Sequence, residues 1–309
     1  MSNLIHLDDI KYVTDTVVTV GTFDGVHQGH RALIEAVAIR AKATRSRSVV
    51  VTFDPHPRSI ISTKSQGIKL LTTLQERAEI IEDMGIDAMC VIPFTRDFSL
   101  LNSEQFVQDV VHRKIGIRHF VIGYDHHFGK DRSGTIYTLE RLAPRLGFDV
   151  QLISKKEMGD TTISSTLIRK EIQVNGNMKR AAILLGREYI LNGVVVHGDE
   201  RGREIGYPTA NLKPEHEDKA IPKNGIYAVR VRVGQEWFGG MMNIGVRPTF
   251  EGSTKALEVH IFDFNSMIYG QTVQVRFIDR IRDERKFTDA NQLKNQLHRD
   301  KQDALNLLS

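Results

Sequence analysis

The sequence predicts two domains of different class, an α/β domain with a mostly parallel sheet and then a small antiparallel β-barrel with a terminal helix. Three observations predict this. β-branched runs alternate with helical stretches up to about residue 155. Strand-like runs separated by glycine and proline crowd the segment after Tyr189, and the chain ends in the helical pattern "DANQLKNQLHRDKQDALNLL". With 309 residues, 40% of them hydrophobic, the chain can bury two cores.

In the first domain the strand candidates are residues 17–21, 48–53, 87–93, 118–123 and 148–154. Val17-Val18-Thr19-Val20 is short and β-branched, as a buried parallel strand should be. Leu33, Ile34, Val37 and Ala41 then recur at helical spacing, and Val49-Val50-Val51-Thr52-Phe53 closes a βαβ unit. The loop between first strand and helix falls at the strand's carboxyl end, where open α/β sheets bind ligands. Residues 164–185 read as helical, "ISSTLIRKEI" followed by "NMKRAAILLG", with Gly186 as the stop. The domains are therefore drawn as 1–185 and 186–309.

Beyond that boundary, "GVVVHG", "GIYAVRVRVG", "WFGGMMNIG", "ALEVHIFDF" and "TVQVRFID" give five strand candidates for the barrel. The intervening "PTAN" reads as a turn.

The bulk numbers exclude some classes. A formal charge of +4, from 42 basic and 38 acidic residues without long blocks of one sign, gives a mixed surface. Cys90 is the single cysteine, so an intrachain disulfide is ruled out and a reducing compartment is favoured. The opening "MSNLIHLDDIKYV" has neither a positive nor an apolar leader region, and apolar runs of membrane-spanning length are absent. These features predict a soluble cytoplasmic protein with no membrane partner, and the composition is compatible with a homo-oligomer. A nucleic-acid partner is not expected, because the barrel has one tryptophan, Trp237, and its basic residues are interspersed with acids.

The loop after the first strand is "GTFDGVHQGH", Gly21 to His30. It lacks the lysine of a P-loop and the Gly-x-Gly-x-x-Gly spacing of a dinucleotide fingerprint, although Asp54 ends the second strand where a ribose-binding acid would stand. What remains is His27-x-x-His30 at a helix start behind glycines. Backbone N–H groups and imidazoles there suit phosphate oxygens, while a zinc pair would want further ligands, and a capping histidine is the plainer alternative.

Three more polar clusters fall at strand ends or helix starts: "TFDPHPR" (52–58), "GYDHHFGKDRSG" (123–134) and "TTISSTLIR" (161–169). In the last, Ser164, Ser165 and Thr166 offer hydroxyls at a helix start and Arg169 a fork for phosphate, although taken alone the cluster reads more simply as a capped helix with a solvent-facing arginine. Asp125, His126 and His127 read either as an ordinary polar loop or as ligand contacts.

"GTFDGVHQGH", "TFDPHP", "GYDHHFGKDRSG" and "ISSTLIR", in this order, resemble the FMN adenylyltransferase module of bacterial bifunctional riboflavin kinase/FAD synthetases. The resemblance implies a Rossmann-like nucleotidyltransferase fold. It places ATP at Gly21, Phe23, Asp24, Gly25, His27, His30, Ser164, Ser165 and Arg169, with His27, His30 and Arg169 acting on the phosphates. It places the flavin at Asp54, His56, Pro57, Asp125 and Phe128. His126 departs from the family, which more often has phenylalanine there. An FMN phosphate is already an anionic nucleophile, so its attack on the α-phosphorus of ATP needs alignment and charge neutralisation and no general base.

In the second domain, Gly198 to Gly206 is charged and glycine-rich and reads as a flap able to fold over a nucleotide. Thr209 and Asn211, if extended, point the same way and offer two hard oxygens to a cation such as Mg²⁺. "ALEVHIFDF" sets Leu257, Val259 and Ile261 on one face and Glu258 and His260 on the other, where Glu258 is either solvated or a base in a pocket.

"GDERGREIGYPTANL", "NGIYAV", "NIGVRPTF" and "LEVHIFDF" resemble the riboflavin kinases. That resemblance implies ATP held by Gly198, Gly202, Gly206, Thr209 and Asn211, Mg²⁺ held by Thr209 and Asn211, and Glu258 as the base that activates the riboflavin 5′-hydroxyl. Together the two resemblances imply conversion of riboflavin to FMN and of FMN to FAD, with ATP as co-substrate of both.

Overall fold

The computed structural model describes residues 3–61, 67–124, 126–153, 157–158, 161–198, 206–249 and 252–309, so Asp125 and Gly202 lie outside the described residues. The chain divides into two compact units, Met1–Ser165 and Thr166–Ser309.

The first unit runs β1 (Leu4–His6), β2 (Thr16–Val20), α1 (Gln28–Thr44), β3 (Arg47–Asp54), α2 (Pro57–Ile61), α3 (Leu74–Asp83) and β4 (Ala88–Pro93). Then come α4 (Ser103–Gln105), which continues as a π-helical stretch Phe106–Ile115, β5 (Ile117–Gly123), α5 (Ile136–Leu146), β6 (Asp149–Ile153) and the two-residue strands β7 (Glu157–Met158) and β8 (Thr161–Thr162). The main sheet is six-stranded in the order β1-β4-β3-β2-β5-β6, with every pairing parallel. All five strand candidates are present. The sixth strand, β1, is three residues long and pairs Leu4 with Met89, too short to show a period.

β2 is buried at all five positions, which is why it reads as a continuous β-branched run. One face of the sheet packs Val18, Val20, Val49, Val51 and Phe120 with Val107, Val111, Leu139 and Leu142 of the helices. α1 buries Ile34, Val37 and Ala41 and touches β2, β3 and β5. The chain steps from β2 to β3 to β4, then returns to the far side of β2 as β5. The topological switch point therefore lies beside β2, at whose carboxyl end ligands of such sheets collect.

The chain enters the second unit along α6 (Ser165–Lys170), which continues as a π-helical stretch Glu171–Asn175 and is followed by α7 (Met178–Leu185). The helix expected over 164–185 is thus broken. Gly176 adopts φ 67°, ending the first part, and the Asn177 side chain caps the second by accepting the Arg180 N–H at 3.0 Å.

The strands β9 (Tyr189–Val196), β10 (Ala210–Pro214), β11 (Gly225–Val233), β12 (Glu236–Thr249), β13 (Gly252–Ile261) and β14 (Thr272–Arg282) close a barrel in the order β10-β13-β12-β11-β14-β9. All its pairings are antiparallel. The expected barrel gains a strand, because Asn211, in the segment read as a turn, pairs with Val196 on one side and Glu258 on the other. The interior is filled by Leu191, Val229, Val231, Met242, Val259, Val275 and Phe277, all fully buried. The terminal helix α8 (Ala290–Leu308) lies outside the barrel on Ala228, Met241 and Phe262. Among the described residues no helix is long and apolar enough to cross a membrane.

Candidate active sites

Because β3, β2 and β5 are adjacent and parallel, the loops after them share one rim of the first unit. The loop after β2 is the histidine turn. Gly21 donates its N–H to Val51 O at 3.0 Å, and a Cβ added to it would come within 3.0 Å of the Phe23 ring. Phe23 (φ 46°), Gly25 (φ 85°) and Val26 (φ 39°) all take left-handed backbone, costly for phenylalanine and more so for a β-branched valine. Full burial of both side chains holds the strained turn in place.

Asp24 is buried beneath the turn, and its Oδ1 accepts the N–H groups of Leu71 (2.9 Å) and Thr72 (3.0 Å). The Gly25 N–H donates to Thr72 Oγ1 at 3.0 Å, and Ser165 Oγ donates to the Asp24 carbonyl at 2.9 Å. Ser164 immediately precedes Ser165 and is half-buried. Arg169 follows one turn further along α6 and falls in the second unit.

His27 is the N-cap of α1, its Nδ1 accepting the His30 N–H at 3.3 Å, so the neutral ring carries its proton on Nε2. The His27 and His30 rings stack at 3.6 Å between centroids, and Phe23 meets His30 edge-on at 5.2 Å. Capping and ligand contact are therefore compatible in one side chain, through different ring nitrogens. Among the described residues no three His, Cys, Asp or Glu side chains gather as a metal site would require.

On either side of this turn stand the other two loops. Asp54, exposed, ends β3 and is joined to Pro55 by a cis peptide; His56 Nδ1 accepts the Arg58 N–H at 3.1 Å, and Pro57 opens α2. Phe128 is buried, packing on Phe106 and Phe120, while His126 stacks over it at 6.2 Å. The residue that departs from the family pattern thus lies directly on the aromatic core.

In the barrel the decisive feature is register. Asn211 of β10 and Asn243 of β12 each stand directly opposite Glu258 of β13, so the three polar residues cross the strands in one row on one face. Leu257 and Val259 turn the other way into the interior. Gly198 lies against this row, and a Cβ there would fall 2.0 Å from Asn211 Nδ2, so only glycine lets the backbone approach. Gly206 turns at φ 83° just before Tyr207, and Thr209 is exposed.

His260 is two residues along from Glu258 and donates Nδ1–H to the Pro208 carbonyl at 2.8 Å, which pins the segment carrying Thr209 and Asn211. Burial holds the His260 imidazole below its ordinary value, against the opposing pull of that hydrogen bond. Thr209 and Asn211 make no side-chain hydrogen bonds among the described residues, and a hydroxyl and a carboxamide oxygen are the hard donors that Mg²⁺ takes. The donor set fits that ion.

Sequence reasoning passed over Asn243, Thr52, Thr72 and Arg77. The Thr73-x-x-Glu76 capping box, whose two bonds measure 3.2 and 2.8 Å, is the signal in the sequence that could have marked a helix start next to Asp24's partners.

Residues 9–167 match the FAD synthetase family model and residues 185–308 the riboflavin kinase model. The bifunctional riboflavin kinase/FMN adenylyltransferase of Listeria monocytogenes is 39% identical over 288 residues, covering 93% of this chain and 90% of that one. The Bacillus subtilis protein of the same name is 35% identical over 298 residues, covering 95% and 93%. A solved chain from Streptococcus pneumoniae, described as a macrolide-efflux protein, is 34% identical, with a TM-score of 0.89 over 98% of this chain and 99% of that one. Its fold is shared, while its name stands apart from both domain models and from the two relatives. With both models matched in order and relatives above 30% identity spanning more than nine-tenths of it, the chain belongs to the bifunctional riboflavin kinase/FMN adenylyltransferase family.

Proposed function

We propose that the family's two activities divide between the domains through the residues described above. In the barrel, Glu258 takes the proton of the riboflavin 5′-hydroxyl as that oxygen bonds to the γ-phosphorus of ATP, the bridging bond to the β-phosphate breaks, and FMN and ADP leave. Gly198, Gly202, Gly206, Thr209 and Asn211 hold the nucleotide. Thr209 and Asn211 also hold Mg²⁺, which when bound neutralises charge on the phosphate oxygens. The observation that supports this reading is the register pairing of Asn211 with Glu258, a carboxamide and a carboxylate directly opposite each other.

In the α/β domain a phosphate oxygen of FMN attacks the α-phosphorus of a second ATP, the α–β bridging bond breaks, and FAD and pyrophosphate leave. His27 and His30, the backbone of Gly21, Phe23, Asp24 and Gly25, and Ser164, Ser165 and Arg169 hold the nucleotide. Asp54, His56, Pro57, Asp125 and Phe128 form the flavin side. Support comes from the shared rim of the three loops and from the strained, buried turn at the switch point.

The test is chromatography of purified protein with riboflavin and Mg-ATP, beside a sample given FMN. FMN followed by FAD, both lost without Mg²⁺, is the expected result. FMN that never proceeds to FAD, even when supplied, would overturn the assignment of the histidine turn.

A further inference from the structure

Beneath the histidine turn lies a buried guanidinium that neither proposed reaction uses. Arg77, on α3, is 4% exposed. Its Nη1 donates to Thr52 Oγ1 at 2.9 Å, and Thr52 Oγ1 in turn donates to the Thr22 carbonyl at 3.1 Å. Its Nη2 donates to the Thr72 carbonyl at 3.4 Å. Thr72 is the residue whose hydroxyl accepts the Gly25 N–H and whose own N–H donates to Asp24. One side chain thus reaches, through two fully buried threonines, both ends of the turn segment Thr22–Gly25.

Among the described residues Arg77 makes no ion pair, and its Nε has no partner. Burial pulls its pKa down, and Asp24, Asp54 and Glu76 pull it back from beyond contact distance. A buried cation without a touching anion is costly, so a stabilising role alone is weak ground for this one. Here the position fixes two peptide planes. Because a peptide unit is planar and trans, drawing the Thr22 carbonyl inward turns the Phe23 N–H to the opposite side, and drawing the Gly25 N–H inward turns the Asp24 carbonyl outward to Ser165.

We propose that Arg77, acting through Thr52 and Thr72, is a positioning residue for the adenylyltransferase: it presets the Thr22–Gly25 backbone for the phosphates of ATP. This rests on the reading of the histidine turn as the ATP-phosphate site. Arg77→Met leaves the buried acceptors of the guanidinium without their donor and endangers folding, so Thr52→Val carries the test. It keeps the shape of the side chain and removes only the hydroxyl that links Arg77 to Thr22.

FAD synthesis from FMN would be measured against ATP and against FMN separately, with kinase activity and thermal unfolding of the same samples as controls. Thr52→Val is expected to raise KM for ATP by about 10-fold, with KM for FMN and the kinase changed by less than about 2-fold, and Thr52→Ser to restore the wild-type KM. Folded Thr52→Val with an unchanged KM for ATP, or Thr52→Ser impaired equally, would overturn the proposal. Wild-type protein that makes FMN but never FAD would instead overturn the reading of the turn, and this proposal with it.

Discussion

Asn211 and Glu258 face each other across the β10–β13 ladder, a carboxamide oxygen and a carboxylate in one cross-strand pair. The pairing keeps apart the two roles proposed for this row, a cation ligand for Asn211 and a base for Glu258. Glu258→Gln keeps the shape and hydrogen-bonding capacity of the side chain and removes its basicity. Riboflavin kinase turnover should fall by roughly 10²–10⁴, while FAD formation from supplied FMN stays within about twofold, assayed on one preparation. Equal loss of both activities would contradict separate sites.

His27 caps α1 and is also proposed to hold ATP phosphates, and the two contributions can be separated. Asparagine is among the best N-cap residues, so His27→Asn should keep helix and melting temperature while losing the imidazole. FAD synthesis should drop by about 10²-fold or more, in the range of losses seen when a preorganised donor is removed, with riboflavin kinase untouched. A variant that melts early would instead show that the ring's part is structural.

The Arg282 fork grips Asp300 of α8 at 2.7 and 2.6 Å, and Gln296 adds a bond of 2.9 Å to the same carboxylate. Asp300 is fully buried and Arg282 about one-fifth exposed. Removing the carboxylate leaves a partly buried cation, so Asp300→Ala should destabilise the barrel by about 3 kcal/mol, the lower end for a broken buried pair. Denaturant unfolding would show this as a lower midpoint, and an unchanged midpoint would mean that α8 is held by its apolar contacts alone.

Much of the first unit was legible because its strands are buried on both faces and so appear as unbroken β-branched runs, Val49-Val50-Val51 being the plainest. The turn was legible for the same kind of reason, since glycine, histidine and a helix start must lie together in sequence to make it. β10 was not. Ala210-Asn211-Leu212-Lys213-Pro214 contains poor strand formers, and its conformation is imposed by β9 and β13, whose positions no local window contains. The break at Gly176 was hidden because the apolar pattern resumes on its far side at Met178 and Ala181. Thr52, Thr72 and Arg77 were missed for a different reason: each is unremarkable alone, and their meaning lies in partners 25 to 48 positions away.

Cys90 lies inside β4 with no exposed surface, and burial raises its thiol to about 12. The thiolate is the reactive form, so a thiol reagent at pH 8 should label nothing in the folded protein and one group per chain after denaturation. Rapid labelling of the native protein would show that the sheet opens far more readily than its packing implies.

His260 makes the barrel's stability depend on pH in a definite direction. Its ring is buried, it donates Nδ1–H to the Pro208 carbonyl, and burial depresses it below the ordinary 6.5. As pH falls, the unfolded chain therefore takes up this proton first, and the neutral ring's contribution, fully present above about 6.5, is lost as pH falls through the folded-state value. His119 of the first unit is depressed too, by burial and then by Arg40, so a single melting curve would mix the two. The difference between wild type and His260→Asn separates them, because asparagine can donate to Pro208 O from its Nδ2 but does not titrate. Between pH 7 and 5.5 the wild type should lose more stability than the variant, by at most about 1.4 kcal/mol per pH unit, the limit for one proton. Parallel stability profiles would mean that the folded barrel accepts a charged imidazole at this position, and that Pro208 is held by other contacts.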